Sequence, residues 1–140
     1  MKIVTVVKDA AYRDNLEKLL RKLGQEYKSA ETVCGGQEGY NLIKEEVPDL
    51  IIADISLSRM GGIVMLKKIR REKIHSRVIL LAEKEDLRQI RQALELGVEG
   101  YFIKPVQMAQ LEKRILQIEQ QVDREYVTEV VFTAENILMG

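Results

Sequence analysis

The sequence predicts a doubly wound α/β domain of three layers, built on a five-stranded parallel sheet with five helices. Two observations predict it. Short strand-like runs alternate with helical patterns along the chain, and three of those runs are nearly continuous in apolar residues. A strand covered by helices on both faces loses the in–out alternation of a half-exposed one, so continuous apolar runs argue for a parallel sheet.

Each element follows in order. KIVTVV (2–7) is the first strand. In 12–23 the residues Leu16, Leu19, Leu20 and Leu23 recur at helical spacing, and Gly24 follows as a C-terminal cap. EYKSAETVC (26–34) alternates imperfectly and carries polar residues, as a sheet edge tolerates. A helix over 38–46 ends before Pro48, and DLIIA (49–53) is the third strand. Ile63, Leu66 and Ile69 set a helix over 63–72, followed by the strand RVILLA (77–82). Leu87, Ile90 and Leu94 set a helix over 86–96 before Gly97, then GYFI (100–103) is the fifth strand. Met108, Leu111, Ile115 and Ile118 set the last helix over 107–122. Right-handed crossovers between parallel strands place the functional crevice beyond the strands' carboxyl ends.

Residues 1–122 therefore form one domain, and 123–140 a tail or the start of a linker to a further domain. Within that tail VTEVVF pairs with a sheet edge, docks elsewhere, or opens a further domain. With 140 residues, 22 basic and 22 acidic, the chain has one core and no global field favouring nucleic acid or an anionic membrane. A single cysteine, Cys34, excludes an internal disulfide, and no apolar run approaches the roughly 18 to 20 residues of a membrane span. MKIV enters a strand without an export signal, so a cytoplasmic location is expected.

The residues that follow each strand carry the chemistry: Lys8 and Asp9, then Asp54, then Ala82 and Glu83, then Lys104. Two carboxylates able to share a divalent cation, with a lysine opposite, suit phosphoryl transfer, because oxygen ligands suit Mg²⁺ and an ammonium balances developing phosphoryl charge. VPDLIIADISLSRMGG, with Gly62 eight positions after Asp54, and GVEGYFIKPV together strongly resemble the receiver domain of two-component response regulators. The resemblance covers about residues 2–121, including RDNLEKLLRKLG, GQEGYNLIKEEVPDL and ALELGVEGY.

The resemblance implies a flavodoxin-like receiver fold in which Asp54 takes a phosphoryl group from a histidine kinase. Asp9, Asp54 and the backbone carbonyl of Ser56 would ligate Mg²⁺, and Lys104 would contact the phosphoryl group. Ala82 and Tyr101 occupy the switch positions, and Pro105 matches a proline often preceded by a cis bond. Such a domain signals; it assists its own phosphorylation and dephosphorylation without being a turnover enzyme. It commonly dimerises through a face matching 86–96, 100–103 and 107–122, where Arg88, Arg91, Glu95, Glu112, Lys113 and Arg114 supply both signs of charge. An effector domain in a longer chain is a further partner, and NILMG weakly resembles the opening of the AAA+ module of enhancer-dependent regulators. Direct nucleic-acid binding by this domain and membrane association are not expected.

Several positions depart from the family pattern. Lys8 replaces the first of two adjacent acids, so Lys8, Asp9, Asp54 and Lys104 sum to zero charge and Mg²⁺ binding is weakened or lost. If the Lys8 ammonium reaches Asp54, it stands in for the metal as a built-in countercharge. Ala82 replaces a Thr or Ser whose hydroxyl donates to the phosphoryl group, a loss of about 1.5–3 kcal/mol. Ser58 and Gly61 replace a proline and an aspartate, and Glu83 puts negative charge where a small residue admits the phosphodonor. Two readings stay open: a phosphoacceptor receiver, and a degenerate receiver acting as a phosphorylation-independent interaction module. A cofactor protein on the same architecture needs a Ser/Thr/Gly-rich loop after the first strand, and KDAAYRD is not one.

The remaining candidates have plain readings. His75 sits in a polar connection as a surface residue, Cys34 as a small buried or edge residue, and GGQEG as a loop. The basic run LKKIRREK (66–73) reads as a solvated helix face.

Overall fold

The computed structural model describes residues 1–32 and 35–139. Its elements are β1 (Lys2–Val6), α1 (Ala10–Lys22), β2 (Glu26–Ser29), α2 (Gly36–Glu46), β3 (Leu50–Asp54), α3 (Gly62–Arg71), β4 (Arg77–Ala82), α4 (Leu87–Glu95), β5 (Gly100–Ile103) and α5 (Met108–Met139). The chain divides into two compact units, Met1–Met108 with the sheet and α1–α4, and Ala109–Gly140 with almost all of α5.

The five strands are parallel, in the order β2-β1-β3-β4-β5. Alternate strand residues serve opposite faces. Val4, Val6, Ile51, Ala53, Val78 and Leu80 cluster with Ile43 of α2, Met65, Leu66 and Ile69 of α3, and Ala93 of α4. The residues between them, Ile3, Ile52, Ile79 and Leu81, are buried as well, as are Leu16, Leu19 and Leu20 of α1. Each such side chain contributes roughly 1.5–3 kcal/mol by leaving water, and the burial of both registers explains the continuous apolar runs of β3 and β4.

Turn chemistry fixes the helix ends. The Asp9 carboxylate accepts the Tyr12 N–H at 2.7 Å, which starts α1 two residues earlier than its leucine spacing alone indicates. Gly24 and Gly97 follow α1 and α4 at φ +68° and +76°, where a side chain would be strained. Val47 ends α2 in the same left-handed region, at φ 43°, without being glycine. A β-branched residue there is held at a cost. Val47→Gly is expected to stabilise the fold by about 0.5–1 kcal/mol, read as a raised urea midpoint at constant slope.

Two expectations are corrected. The second strand stops at Ser29 instead of continuing to 34, because after Ala30 donates to Thr5 O at 2.8 Å, β1 itself ends and offers no further partners. Residues 33 and 34, and with them the reading of Cys34, lie outside the described residues. At the other end, α5 does not stop at 122, and VTEVVF is helical, not a strand. From 106 to 139 there is no glycine or proline to break a helix, and β-branched residues cost only a few tenths of a kcal/mol each in one. Tyr126, Val127, Val130, Val131, Phe132, Ile137 and Leu138 are exposed on it. Among the described residues no helix is long and apolar enough to cross a membrane.

The basic run of α3 is less free than a solvated face. The Lys68 ammonium lies 4.2 Å from the centre of the Tyr40 ring, and Arg70 donates to the carbonyls of Leu96, Ile74 and Ser76 at 3.1, 2.9 and 2.7 Å. Arg70 thereby ties α3 to the entry of β4 and the end of α4. His75 is exposed.

Candidate functional site

The carboxyl ends of β1, β3, β4 and β5 converge. Asp54, the last residue of β3, is 1% exposed. A carboxylate buried to that degree is tolerable only if both oxygens find partners. Its Oδ2 accepts the backbone N–H of Lys8 at 2.8 Å, and its Oδ1 meets the Lys104 ammonium at 2.7 Å in an ion pair. Strand pairing delivers that ammonium: Ala82 lies opposite Ile103, and the next amide, that of Lys104, donates to Ala82 O at 2.7 Å. The Lys104–Pro105 peptide is cis.

The proposed countercharge role of Lys8 is corrected by its side chain. The Lys8 ammonium lies 2.9 Å from Glu83 Oε1 and not on Asp54, with both side chains about half exposed. Lys104 already satisfies Asp54, so the Lys8 stem, leaving the end of β1, meets the carboxylate at the end of β4 instead. The hydrogen bond and charge of Lys8 hold the Glu83 carboxyl below its ordinary value. Lys8 and Glu83 are thus each other's partners. Counting Glu83, the side chains of Lys8, Asp9, Asp54, Glu83 and Lys104 carry three negative and two positive charges. The neutral sum expected for the site becomes −1.

Lys8, Asp9, Tyr12, Glu83, Lys104 and Pro105 line an open cavity of about 850 Å³. Asp9 is exposed, with one carboxylate oxygen committed to capping α1. Ser56 is exposed two residues beyond Asp54, outside the lining of this cavity. Gly62 opens α3 where a Cβ would come 2.4 Å from Asp54 O and 2.9 Å from Ile55 Cα, so only glycine lets the helix approach the end of β3 so closely. Ser58 and Gly61 lie in the connection between them.

Tyr12 also lines this cavity, and the sequence reading did not single it out. The Lys104 ammonium lies 5.0 Å from its ring centre. Its hydroxyl is buried without a hydrogen-bond partner among the described residues. Burial, and then the negative charge of Asp54, push its phenol up to about 12. The available signal was its place three residues after the capping Asp9, on the helix turn that overlooks the strand ends.

The positions expected to act as the switch, 82 and 101, both serve the α2–α4 face of the sheet. Ala82 is buried in the apolar cluster there, and Tyr101 packs against the same cluster. The Tyr101 hydroxyl is buried with no partner among the described residues, and its phenol is raised by burial and then by Asp86. A threonine at position 82 would add volume and a hydroxyl to this apolar cluster.

For a divalent cation the site offers two carboxylates, Asp9 and Asp54, and a nearby carbonyl at Ser56. Among the described residues no group of three or more acidic, histidine or cysteine side chains is gathered for a metal. Mg²⁺ usually takes only one or two protein carboxylates and completes its shell with water and phosphate oxygens, so the donors present fit it.

A family model described as the response regulator receiver domain matches residues 3–116. The transcriptional regulatory protein AfsQ1 of Streptomyces coelicolor is 31% identical over 88% of this chain and 53% of its own length. The probable C4-dicarboxylate response regulator DctR of Bacillus subtilis is 34% identical over 64% of this chain and 41% of its own length. The chain thus spans about half the length of these curated relatives. Among solved structures, a response regulator receiver domain protein from Clostridium thermocellum superposes with a TM-score of 0.76 at 25% identity, covering 91% of this chain and 98% of that one.

Proposed function

The chain belongs to the response regulator receiver domain family, and from that membership we propose that it accepts a phosphoryl group on Asp54 from a histidine kinase. The observation that carries this reading is the buried Asp54 carboxylate held between the Lys104 ammonium and the Lys8 amide. An Asp54 oxygen attacks the phosphorus of a phosphohistidine; the P–N bond breaks as the P–O bond forms, and the imidazole departs with its electron pair. Lys104, freed from the carboxylate charge as the acyl phosphate forms, follows the negative charge onto the phosphoryl oxygens. Mg²⁺ held by Asp9, Asp54 and the Ser56 carbonyl would supply the remaining charge neutralisation. In this reading the domain signals and is not a turnover enzyme; it works in the cytoplasm, and the 123–139 stretch leads to an effector. The exposed Leu87 and Leu94 of α4, with Ile103 of β5, support a homodimer contact on that face.

Two observations favour a second reading, a phosphorylation-independent interaction module. The Lys8–Glu83 pair lines the open cavity at the strand ends, and Tyr101 already packs against the apolar cluster that contains Ala82. A Mg²⁺ titration with and without beryllofluoride, followed on the amides of residues 8, 54, 82, 101 and 104 by NMR, separates the two. Saturating shifts that depend on beryllofluoride at millimolar Mg²⁺ are the expected result. A folded protein silent at every one of these amides would exclude the phosphoacceptor and leave the interaction module.

A further inference from the structure

We propose that Tyr12 is a positioning residue whose ring seats the Lys104 ammonium at Asp54. The inference rests on the reading of Asp54 as phosphoacceptor. The ammonium is shared: 2.7 Å from Asp54 Oδ1 on one side and 5.0 Å from the Tyr12 ring centre on the other. A lysine stem has many rotamers, and an ion pair fixes only its tip. A ring face alongside removes the alternatives by attracting the cation through its quadrupole, most strongly where water is partly excluded. Here the Lys104 side chain is only 17% exposed and Tyr12 is half-buried.

The backbone that carries the ring is held by the cap, because the Tyr12 amide donates to the Asp9 carboxylate at 2.7 Å. Asp9 and Lys104 are thereby connected through one aromatic residue at the first turn of α1. The geometry also suits a moving charge. When Asp54 carries a phosphoryl group, the ammonium must travel from Oδ1 to oxygens further out. Attraction to a ring face falls off gently with lateral displacement, whereas a hydrogen bond breaks with it, so the ring can hold the cation along that path. The hydroxyl takes no part in this, having no partner of its own among the described residues.

Two readouts on the isotopically labelled protein test the proposal, one of them independent of phosphorylation. The Lys104 ε-methylene protons are expected upfield of ordinary lysine positions in the wild type and in Y12F, through the ring current, and at ordinary positions in Y12L. Phosphoryl incorporation from phosphoramidate with Mg²⁺ is expected to slow about twofold to thirtyfold in Y12L, and Y12F is expected to restore it. Unshifted Lys104 methylene protons in the wild type, or a Y12F rate well below that of the wild type, would overturn the role of the ring, and neither measurement depends on Y12L folding. Absence of incorporation in the wild type would refute the phosphoacceptor reading instead, and the methylene shifts would still decide the position of Lys104.

Discussion

Asp54→Asn is expected to reduce phosphoryl incorporation from phosphoramidate or from a phosphorylated kinase below detection, measured by intact-mass or radiolabel assay. The substitution preserves shape and keeps an acceptor for the Lys8 amide, but a carboxamide oxygen is too weak a nucleophile for phosphorus. It also strips the Lys104 ammonium of its anionic partner. Breaking a buried pair by removing one member is strongly destabilising when the other cannot escape. Lys104 retains some access to water, so a loss of about 1–3 kcal/mol in unfolding free energy is expected. Undiminished incorporation in this variant would move the phosphoryl group to another acceptor, and unchanged stability would show that the Asp54–Lys104 pair contributes nothing net.

Lys8→Asp is expected to tighten Mg²⁺ binding at least tenfold, measured by direct titration of the unphosphorylated protein. The substitution leaves the backbone amide on Asp54 Oδ2 in place, because that bond does not involve the side chain. It removes one positive charge, adds one negative, and releases Glu83 from its partner. A tenfold change corresponds to about 1.4 kcal/mol, which two unit charges acting on a divalent ion within several ångströms exceed even at a high effective dielectric constant. An unchanged dissociation constant would show that the net charge of the pocket does not limit metal binding.

Much of this was legible in the sequence, and the exceptions share a cause. β3 and β4 could be read because burial on both faces leaves an unbroken apolar signature that depends on local residues alone. Asp54 and Lys104 could be read because strand ends converge in any doubly wound sheet. The end of β2 could not, since it is set by where β1 stops offering partners. The length of α5 was misread because Val127, Val130 and Val131 carry strand propensity, while the missing helix breaker is a weaker positive signal. The partner of Lys8 was hidden for a different reason. Glu83 lies 75 positions away, and only the geometry of the strand ends shows that its carboxylate is nearer the ammonium than Asp54 is. Tyr12 was passed over because a single aromatic on a helix carries no periodicity.

The mutual pairing of Lys8 and Glu83 makes substitutions at the two positions interdependent. An acid at position 8 alone would set three carboxylates and Glu83 against one another with Lys104 the single cation, whereas a small residue at position 83 alone would leave the Lys8 ammonium unmatched near Asp54. The first change drives the pocket further negative and the second makes it neutral, so the effect of either substitution on metal affinity is conditional on the other, and a double-mutant cycle reads that coupling directly.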